Sequence, residues 1–333
     1  MTLFPACRDV ITDRGDAGRR LDLVLRRHLS DIAAATRTQI QVWIENGQVR
    51  VDGKPVRRVA TRAHSGAHVS ILLPDHAARI GVTAEDLALD VLYEDDHLLA
   101  VNKPAGMVVH PGYRHTTGTL LNALLWRARG WTAGQRPSLI GRLDKLTSGL
   151  VIVAKTATVH TSIQRARESP ASKREYLAVA YGRVKARGAV DFRLASDPHQ
   201  RQKVVVSPVH GAASFTRFER LAHVAAPHAG MSLLRCRLLT GRRHQIRVHL
   251  AASGWPLVGD PDYGEPRWAR ILDATLADTV RAFPRQALHS WRATFVHPVT
   301  RERLVLEAPV PEDFERLLVT THLCEFRQDA CAT

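Results

Sequence analysis

The stretch Leu139–Thr156, LIGRLDKLTSGLVIVAKT, is the part of the sequence from which the fold and the function can best be argued. It places one carboxylate, Asp144, between the cations Arg142 and Lys145, and the apolar run Leu150–Ala154 follows almost at once. The β-branched content of that run predicts a buried strand. The question is what a chain does with a single acid held between two cations at the entrance to such a strand.

Taken alone, the local spacing has a structural explanation. Asp144 can accept hydrogen bonds from Thr147 and Ser148 and so build a turn, and this interpretation is favoured while only neighbouring residues are considered. Tyr176 begins a predicted strand, EYLAVAYGRV, where an aromatic side chain usually belongs to the core. Arg247 lies on the predicted helix RHQIRVHLAAS, on a face shared with Arg243, and can be one more phosphate contact.

The charge of the chain is strongly positive and unevenly distributed. The 333 residues carry a formal net charge of +15, and 45% of them are apolar, which is typical of a soluble protein of about two domains. Residues 141–250 contain 20 Lys and Arg against 6 Asp and Glu. This excess favours nucleic acid as the partner over a merely solvated basic surface.

Several classes of protein are disfavoured by what the sequence lacks. No apolar run approaches the ~18 residues of a membrane span, so we predict no membrane partner. The first residues lack the apolar segment of a secretory signal, and the cysteines are far apart with no C-x-x-C pair, which fits a cytoplasmic protein. The phosphate-loop, dinucleotide and nucleophile-elbow motifs are missing, so we predict no cofactor. We also predict no metal, because His244 and His249 are five residues apart and fall on different helix faces.

The pattern of helices and strands divides the chain into two domains. Residues 17–77 predict a small α/β unit of two helices, a hairpin around Asp52-Gly53 and a closing strand. Residues 78–88 have weak periodicity and are typical of a linker. Residues 89–320 alternate strands, hairpins and helices, which predicts an α+β fold with a mixed, largely antiparallel sheet and flanking helices. Residues 321–333 are predicted to be a tail.

Three blocks, in this order along the chain, resemble the motifs of the RluA/RluD-type RNA pseudouridine synthases. They are GRLDKLTSGLVIVAKT, SKREYLAVAYG and LLTGRRHQIRVHLAASGWPLVGDPDYG, and VLYEDDHLLAVNKPAGMVVHPG with GTLLNALL matches the family's early strands and helix. Residues 17–77 resemble the small RNA-binding domain, named after a small-subunit ribosomal protein, of the RluD-like branch. The resemblance covers residues 17–320. It departs at Gly141, where the family usually has His, and more mildly at Arg174, where Lys is commoner.

The resemblance implies an enzyme that isomerises uridine in RNA without a metal or cofactor. The bond from the ribose to the base nitrogen is broken, the base turns, and its carbon 5 is joined to the ribose. Asp144 matches the catalytic carboxylate, which either attacks the sugar or removes a ribose proton to give a glycal. Tyr176 matches the tyrosine that stacks on the flipped uracil and helps to remove the carbon-5 proton. Arg247 matches the arginine that pairs with the carboxylate.

The same resemblance implies the partners of the protein. Arg142 is expected near the flipped-out nucleotide, and the other expected substrate-binding residues are Lys145, Arg243, His244 and Gln245. The expected substrate is large-subunit (23S) ribosomal RNA, with transfer RNA as the alternative, and the expected enzyme is a monomer. An RNA-binding or ribosome assembly factor without catalysis is a second hypothesis. A glycosidase with paired carboxylates is disfavoured, because the opening motif offers only one acid.

Overall fold

A computed structural model describes residues 6–324, apart from 30, 31, 33, 34, 74–81, 113, 114, 168, 170, 201, 226–229 and 266. The predicted linker 78–88 and tail 321–333 therefore lie partly outside the described residues. Among the described residues, no helix has the length and apolar character needed to cross a membrane.

The first unit is a four-stranded antiparallel sheet covered by two helices. The strands follow the order β1-β4-β2-β3 across the sheet. Their bounds are β1 Ala6–Ile11, β2 Val49–Val51, β3 Lys54–Val56 and β4 His68–Leu73, and the helices are α1 Leu21–His28 and α2 Arg37–Glu45. Both helices bury apolar stripes against the sheet. The hairpin predicted around Asp52-Gly53 joins β2 to β3, and β1 extends the sheet to residues ahead of position 17.

The second unit is built on a ten-stranded mixed sheet. Eight strands follow the order β10-β13-β14-β9-β15-β8-β6-β5, while β7 pairs with β8 and β16 pairs with β15. The strands of this unit are β5 Asp90–Glu94, β6 Leu98–Lys103, β7 Ser138–Leu139, β8 Ser148–Ala154, β9 Lys173–Tyr181, β10 Arg187–Val190, β11 Leu194–Ser196, β12 Val204–Val206, β13 Thr216–Val224, β14 Met231–Leu238, β15 Leu288–Val296 and β16 Arg303–Glu307. Strands β11 and β12 form a separate hairpin.

In the part of the chain that the structure describes, five α-helices lie around this sheet. They are α3 Leu120–Arg127, α4 Ala157–Ala166, α5 Gln245–Ala252, α6 Ala274–Ala282 and α7 Glu312–Thr320, with short 3₁₀ turns at Ala128–Gly130 and Trp268–Arg270. Among the strands that the structure describes, all pairs are antiparallel except β8 with β15, which run parallel over two residue pairs. The predicted α+β fold with a mixed, largely antiparallel sheet and flanking helices is therefore confirmed.

The pleat of β9 decides which of its side chains can reach the site. Leu177 and Val179 point to one face and pack in the cluster that includes α6 and α7. Tyr176 and Ala178 point to the opposite face and pack in the cluster that contains α5. The alternation thus places Tyr176 under the helix that carries Arg247.

One predicted helix boundary is wrong, and the error matters for the site. Helix α5 begins at Gln245, and His244 before it has a left-handed backbone with φ of 54°. Arg243 therefore precedes the helix, so the prediction that Arg243 and Arg247 share a helix face is wrong. A left-handed residue interrupts the right-handed geometry on which that i, i+4 argument depends.

Candidate active site

The loop that carries Asp144 joins β7 to β8, and buried cations hold its backbone. Lys103, 1% exposed, donates from Nζ to the Lys145 carbonyl at 3.1 Å. Arg285, 2% exposed, donates to the Leu146 carbonyl at 3.4 Å. Because these donors come from distant parts of the chain, the loop's position is fixed by the packed domain and not by its own sequence.

The turn explanation of Asp144 holds for its backbone but not for its carboxylate. The amide of Thr147 donates to the Asp144 carbonyl at 3.1 Å, which closes a turn. The hydroxyl of Thr147, however, accepts a hydrogen bond from Gln286, and the hydroxyl of Ser148 lies 2.9 Å from Nδ1 of His289. Both hydroxyls face other partners, which leaves the Asp144 carboxylate to interact across the domain.

Arg247 is the partner that the Asp144 carboxylate meets. Its Nη1 lies 3.3 Å from Oδ2 of Asp144, across 103 residues of chain. The same guanidinium, 3% exposed, makes two bonds of 2.7 Å to Asp260 and one of 2.6 Å to Asp262. Burial alone lowers the pKa of Arg247, but the hydrogen bonds and charge of Asp260 together with Asp144 hold that pKa above its ordinary value. Arg247 is therefore a permanent cation at the centre of three carboxylates.

Asp260 and Asp262 are site residues that the sequence analysis did not single out. Their signal was present in the quoted block GDPDYG, within the third motif, but two acids in a loop have no distinguishing spacing. Asp260 is 1% exposed on its side chain and also accepts hydrogen bonds from the amides of Asp262 and Tyr263. Its carboxylate is thus fixed on both sides, and it fixes Arg247 in turn.

His244 lies on the other side of the Asp144 carboxylate. Its Nε2 is 3.8 Å from Oδ1 of Asp144, and its Nδ1 is 2.6 Å from the hydroxyl of Tyr263. Since the amide of Val204 already donates to that hydroxyl, the hydroxyl proton is available to His244 Nδ1, and the ring proton then resides on Nε2. Burial lowers the pKa of His244, so the imidazole is neutral at pH 7 and turns an N–H toward Asp144.

Tyr176 and Asp144 line one cavity of about 400 Å³, a volume in the range of small-ligand sites. The tyrosine is 8% exposed, and its ring packs in the cluster that includes Ile246 and Leu250 of α5. Burial raises the pKa of Tyr176 despite the nearby charge of Arg174, so its hydroxyl is protonated at neutral pH. The cavity thus presents a carboxylate, a protonated phenol and an aromatic ring together.

The residues predicted to bind substrate fall in different places. Arg142 and Lys145 are exposed at the mouth of the site, and Arg142 borders the cavity. Lys145 lies 3.5 Å from the ring of His115. Arg243 is half-buried and donates to the Lys203 carbonyl at 2.9 Å, so part of its hydrogen-bonding capacity holds the adjoining chain.

Gln245 is placed in the interior. It is 2% exposed, and its amide nitrogen donates to the Phe215 carbonyl and to the Thr216 hydroxyl. Its amide oxygen accepts from the Thr240 hydroxyl and from the Arg242 amide. Three of these bonds join the start of α5 to the chain at the beginning of β13 and just after β14, and the fourth holds the turn before the helix. The side chain therefore positions α5 and has no exposed surface for RNA.

One group of side chains among the described residues has spacing suited to a metal, and it lies in the first unit. Asp13, Asp16 and His28 bring their ligand atoms within 4.8 Å of one another. Arg27 already fills the centre, with Nη2 at 2.5 Å from Asp16 and 3.5 Å from Asp13. This group is better described as an ion-pair cluster than as a metal site.

Comparison with known proteins identifies two matching family models. The model described as RNA pseudouridylate synthase matches residues 97–252, and the model described as S4 domain matches residues 19–69. The first covers β6 to α5 and so contains Asp144, Tyr176 and Arg247. The second covers both helices, β2 and β3 and the start of β4 in the first unit.

Similar curated proteins match most of the length of the chain. The ribosomal large subunit pseudouridine synthase D of Neisseria meningitidis is 38% identical over 308 residues, which are 92% of this chain and 80% of that protein. The protein of the same name from Xanthomonas campestris is 39% identical over 320 residues, 95% and 93% of the two chains. That of Pseudomonas aeruginosa is 38% identical over 302 residues, 90% and 91%.

Two solved structures share the fold. Human RNA pseudouridylate synthase domain containing 1 has a TM-score of 0.52 at 24% identity, over 71% of this chain and 89% of its own. Human RNA pseudouridylate synthase domain containing 4 has a TM-score of 0.53 at 23% identity, over 70% and 92%.

Proposed function

This chain belongs to the RNA pseudouridine synthase family, and from that premise we propose that it converts uridine to pseudouridine in large-subunit ribosomal RNA. The observation that carries the proposal is that Asp144 pairs with Arg247 and lines adjoining cavities with Tyr176. The names of the similar curated proteins support the choice of ribosomal RNA, and the S4 domain supports RNA as the partner.

In this proposal Asp144 is the catalytic carboxylate. It either adds to the ribose carbon that bears the base or removes the neighbouring ribose proton, and both routes start from the same ionised oxygen. Arg247 orients that oxygen from one side at 3.3 Å, and the neutral imidazole of His244 faces the other oxygen at 3.8 Å. The uridine must leave the RNA stack to reach the carboxylate, at a cost of a few kcal/mol that binding has to offset.

Tyr176 supplies the surface for the displaced base. Its ring is fixed in the core cluster beneath α5, so stacking on uracil costs little side-chain entropy. We propose that its hydroxyl, kept protonated by burial, relays the proton that carbon 5 loses when it joins the ribose, giving up its own proton as it accepts that one. Arg142 and Lys145, exposed at the mouth, are proposed to contact RNA, with Arg142 nearest the vacated stack.

We extend the proposal to the organisation of the protein. The domains 17–77 and 89–320 are supported by the two separate sheets, and one chain supplies Asp144, Tyr176 and Arg247, which suits a monomer. Action in the cytoplasm follows from a ribosomal RNA substrate.

The direct experiment is to map pseudouridines with carbodiimide in total RNA from cells with and without the gene. The proposal expects one or more sites in large-subunit ribosomal RNA to disappear when the gene is removed. Loss confined to transfer RNA would contradict the proposed substrate while leaving the reaction in place. An unchanged map of all RNA species would contradict the proposed function itself.

A further inference from the structure

Arg167 and Arg174 line the cavity that holds Asp144 and Tyr176. Arg167 follows the last residue of α4, and Arg174 lies in β9, two residues before Tyr176. Both side chains are half-buried. Neither was assigned a role by the sequence motifs, except that Arg174 stands where the family more often has Lys.

The two guanidinium groups converge on one point. A Cβ atom built on Gly241 would lie 3.0 Å from Nη1 of Arg174 and 3.2 Å from Nη2 of Arg167. These two nitrogens are therefore no more than about 6 Å apart, a separation that one phosphate group can bridge with two hydrogen bonds of ordinary length.

The pair also lacks a counter-charge within the described part of the chain. Arg174 donates from Nη2 to the carbonyls of Leu238 and Thr240, and Arg167 donates from Nη1 to the side-chain oxygen of Gln164. All three acceptors are uncharged. The nitrogens nearest Gly241 are Nη1 of Arg174 and Nη2 of Arg167, which do not make these bonds. Each guanidinium is therefore held by one terminal nitrogen while its second terminal nitrogen lies near Gly241.

Two like charges without an acid are costly in the free protein. Burial and the neighbouring Arg174 lower the pKa of Arg167 to about 10, so both side chains are still charged at pH 7. Burial likewise lowers the pKa of Arg174. An anion bound between them would offset the repulsion. Two neighbouring arginines without an ion-pair partner are the arrangement expected of an anion-binding site.

The same geometry gives a reason for Gly141. Its φ is 95°, and a Cβ built there would lie 3.4 Å from Nη2 of Arg167. A histidine, which the family usually has at this position, would adopt that backbone only with strain and would extend toward the Arg167 guanidinium. Glycine at 141 and at 241 therefore leaves the approach to both arginines open from two sides.

We propose that Arg167 and Arg174, between Gly141 and Gly241, form a binding site for one phosphate of the RNA backbone next to the flipped uridine. The inference rests on the proposed function, because it assumes that the nucleotide held by Asp144 and Tyr176 belongs to an RNA chain. It adds to the catalytic residues a pair that fixes the substrate backbone beside the cavity.

The test compares Arg167→Gln, Arg174→Gln and Arg174→Lys with the full-length protein. RNA affinity is measured over a series of salt concentrations, together with the rate of pseudouridine formation at limiting enzyme and the melting temperature. The Gln variants should bind RNA about tenfold or more weakly, since a hydrogen bond to a charged group is lost. Their plots of log affinity against log salt should be shallower by about 0.7.

The melting temperature reports the structural effect of each substitution. Removing one of two repelling charges favours a higher melting temperature, while losing the hydrogen bonds of Arg174 to the Leu238 and Thr240 carbonyls favours a lower one, so a change in melting temperature is judged together with RNA affinity and salt slope. Arg174→Lys keeps the charge and should retain the wild-type salt slope. Arg316→Gln on α7, an exposed arginine paired with Glu312, is the matched control and should change none of the three measurements.

A wild-type salt slope and wild-type affinity in both Gln variants would overturn the inference, whatever their melting temperature. Failure of the proposed function would look different, because the wild-type protein itself would then form no pseudouridine. Inorganic phosphate added at constant ionic strength tests the remaining source of the anion. It should displace RNA only weakly, and tight binding of free phosphate at Arg167 and Arg174 would contradict an RNA phosphate as the ligand.

Discussion

At the scale of single residues, Arg247 determines how the Asp144 carboxylate is presented. Asp260 and Asp262 take three of its N–H groups at 2.6 to 2.7 Å, while Asp144 receives one bond at 3.3 Å. Short charge-assisted hydrogen bonds are stronger than long ones. Asp260 and Asp262 therefore fix the position of Arg247, and its bond to Asp144 is the weakest of the four. The Asp144 carboxylate is thus oriented by Arg247 but not held rigidly. A catalytic carboxylate that approaches a ribose requires this freedom.

This division predicts the effect of removing the anchor. In Asp260→Asn the buried arginine keeps its charge but loses a bidentate partner, and breaking such a buried pair costs on the order of 3 kcal/mol. We expect a lower free energy of unfolding in urea and a rate of pseudouridine formation at least tenfold lower, with RNA affinity little changed. The control is Asp278→Asn, whose pair with Arg281 is exposed and contributes less than about 1 kcal/mol. Equal behaviour of the two variants would show that Asp260 does not position Arg247.

A second prediction concerns the buried lysine beneath the Asp144 loop. Burial, together with the charge of Arg285, lowers the pKa of Lys103 from 10.5 to about 7. Between pH 7 and about 10.4 the unfolded chain therefore holds a proton that the folded protein has released, and stability rises with pH in that window. Below pH 7 Lys103 is protonated in both the folded and the unfolded state, so the buried charge lowers the free energy of unfolding by its full amount.

The measurement is the free energy of unfolding in urea at pH 6 to 10 for the wild type and Lys103→Met. The wild type minus variant difference should increase from pH 7 upward and be flat below it. The exposed Lys54→Met is the matched control for a lost lysine. A difference that falls with pH would contradict the inferred direction of the Lys103 pKa.

At the scale of secondary structure, β8 and β15 must approach closely for the site to form. Gly149 allows this, because its φ is 108° and a Cβ there would lie 2.2 Å from the Ser290 carbonyl oxygen. The glycine follows directly on the Asp144 loop, and the parallel pairing with β15 begins at the same place. Glycine is thus required at position 149 by the close contact between the two strands as well as by the backbone conformation.

Gly149→Ala should consequently destabilise the protein by more than the cost of the left-handed backbone conformation alone. Gly66→Ala is the matched comparison, since Gly66 has a φ of 80° with no atom within 4 Å of a built Cβ. That substitution should cost only the left-handed conformation, about 1–2 kcal/mol. Gly149→Ala should lower the melting temperature further and reduce activity by displacing the Asp144 loop. Similar melting temperatures for the two variants would mean that the strands can move apart without cost.

Elements with strong local signals were predictable from the sequence. Thr119 and Asn122 form a capping box at the start of helix α3, and the Thr36 side chain caps α2, so both helix starts have local sequence signals. Strand β13, TRFERLAHV, was not predicted, because charged residues interrupt its apolar alternation and its pairing with β14 decides its structure. Helix α7 was also missed although Phe314, Leu317 and Leu318 have helical spacing.

At the scale of the whole molecule, the site is assembled from segments more than 100 residues apart. The sequence pointed to Asp144, Tyr176 and Arg247 through the resemblance of three motifs, and the structure places all three around adjoining cavities. It could not show which neighbours anchor Arg247, nor that Gln245 is buried, because both depend on how β13, β14 and α5 meet. Gln245 had the composition of an RNA contact and turned out to use its amide within the protein.

The overall charge makes a prediction about RNA binding. With a formal net charge of +15, binding should release counterions from many phosphates. If six or more phosphates are contacted, affinity should fall by roughly a thousandfold or more between 50 and 200 mM salt. The rate of the chemical step on saturated enzyme should change much less, since the buried site is poorly screened. Filter binding and single-turnover rates over this range would check both, and affinity independent of salt would contradict a backbone-dominated interaction.

The central claim is that Asp144 performs the isomerisation, and one measurement tests it most directly. Full-length wild type and Asp144→Asn are incubated with unmodified large-subunit ribosomal RNA labelled with tritium at carbon 5 of uridine, and tritium release and RNA affinity are measured together. Carbon 5 loses its hydrogen when it joins the ribose, so release reports turnover. We predict release by the wild type, none above background by Asp144→Asn, and similar RNA affinity for both. Near wild-type release by Asp144→Asn, or no release by either protein, would contradict the account.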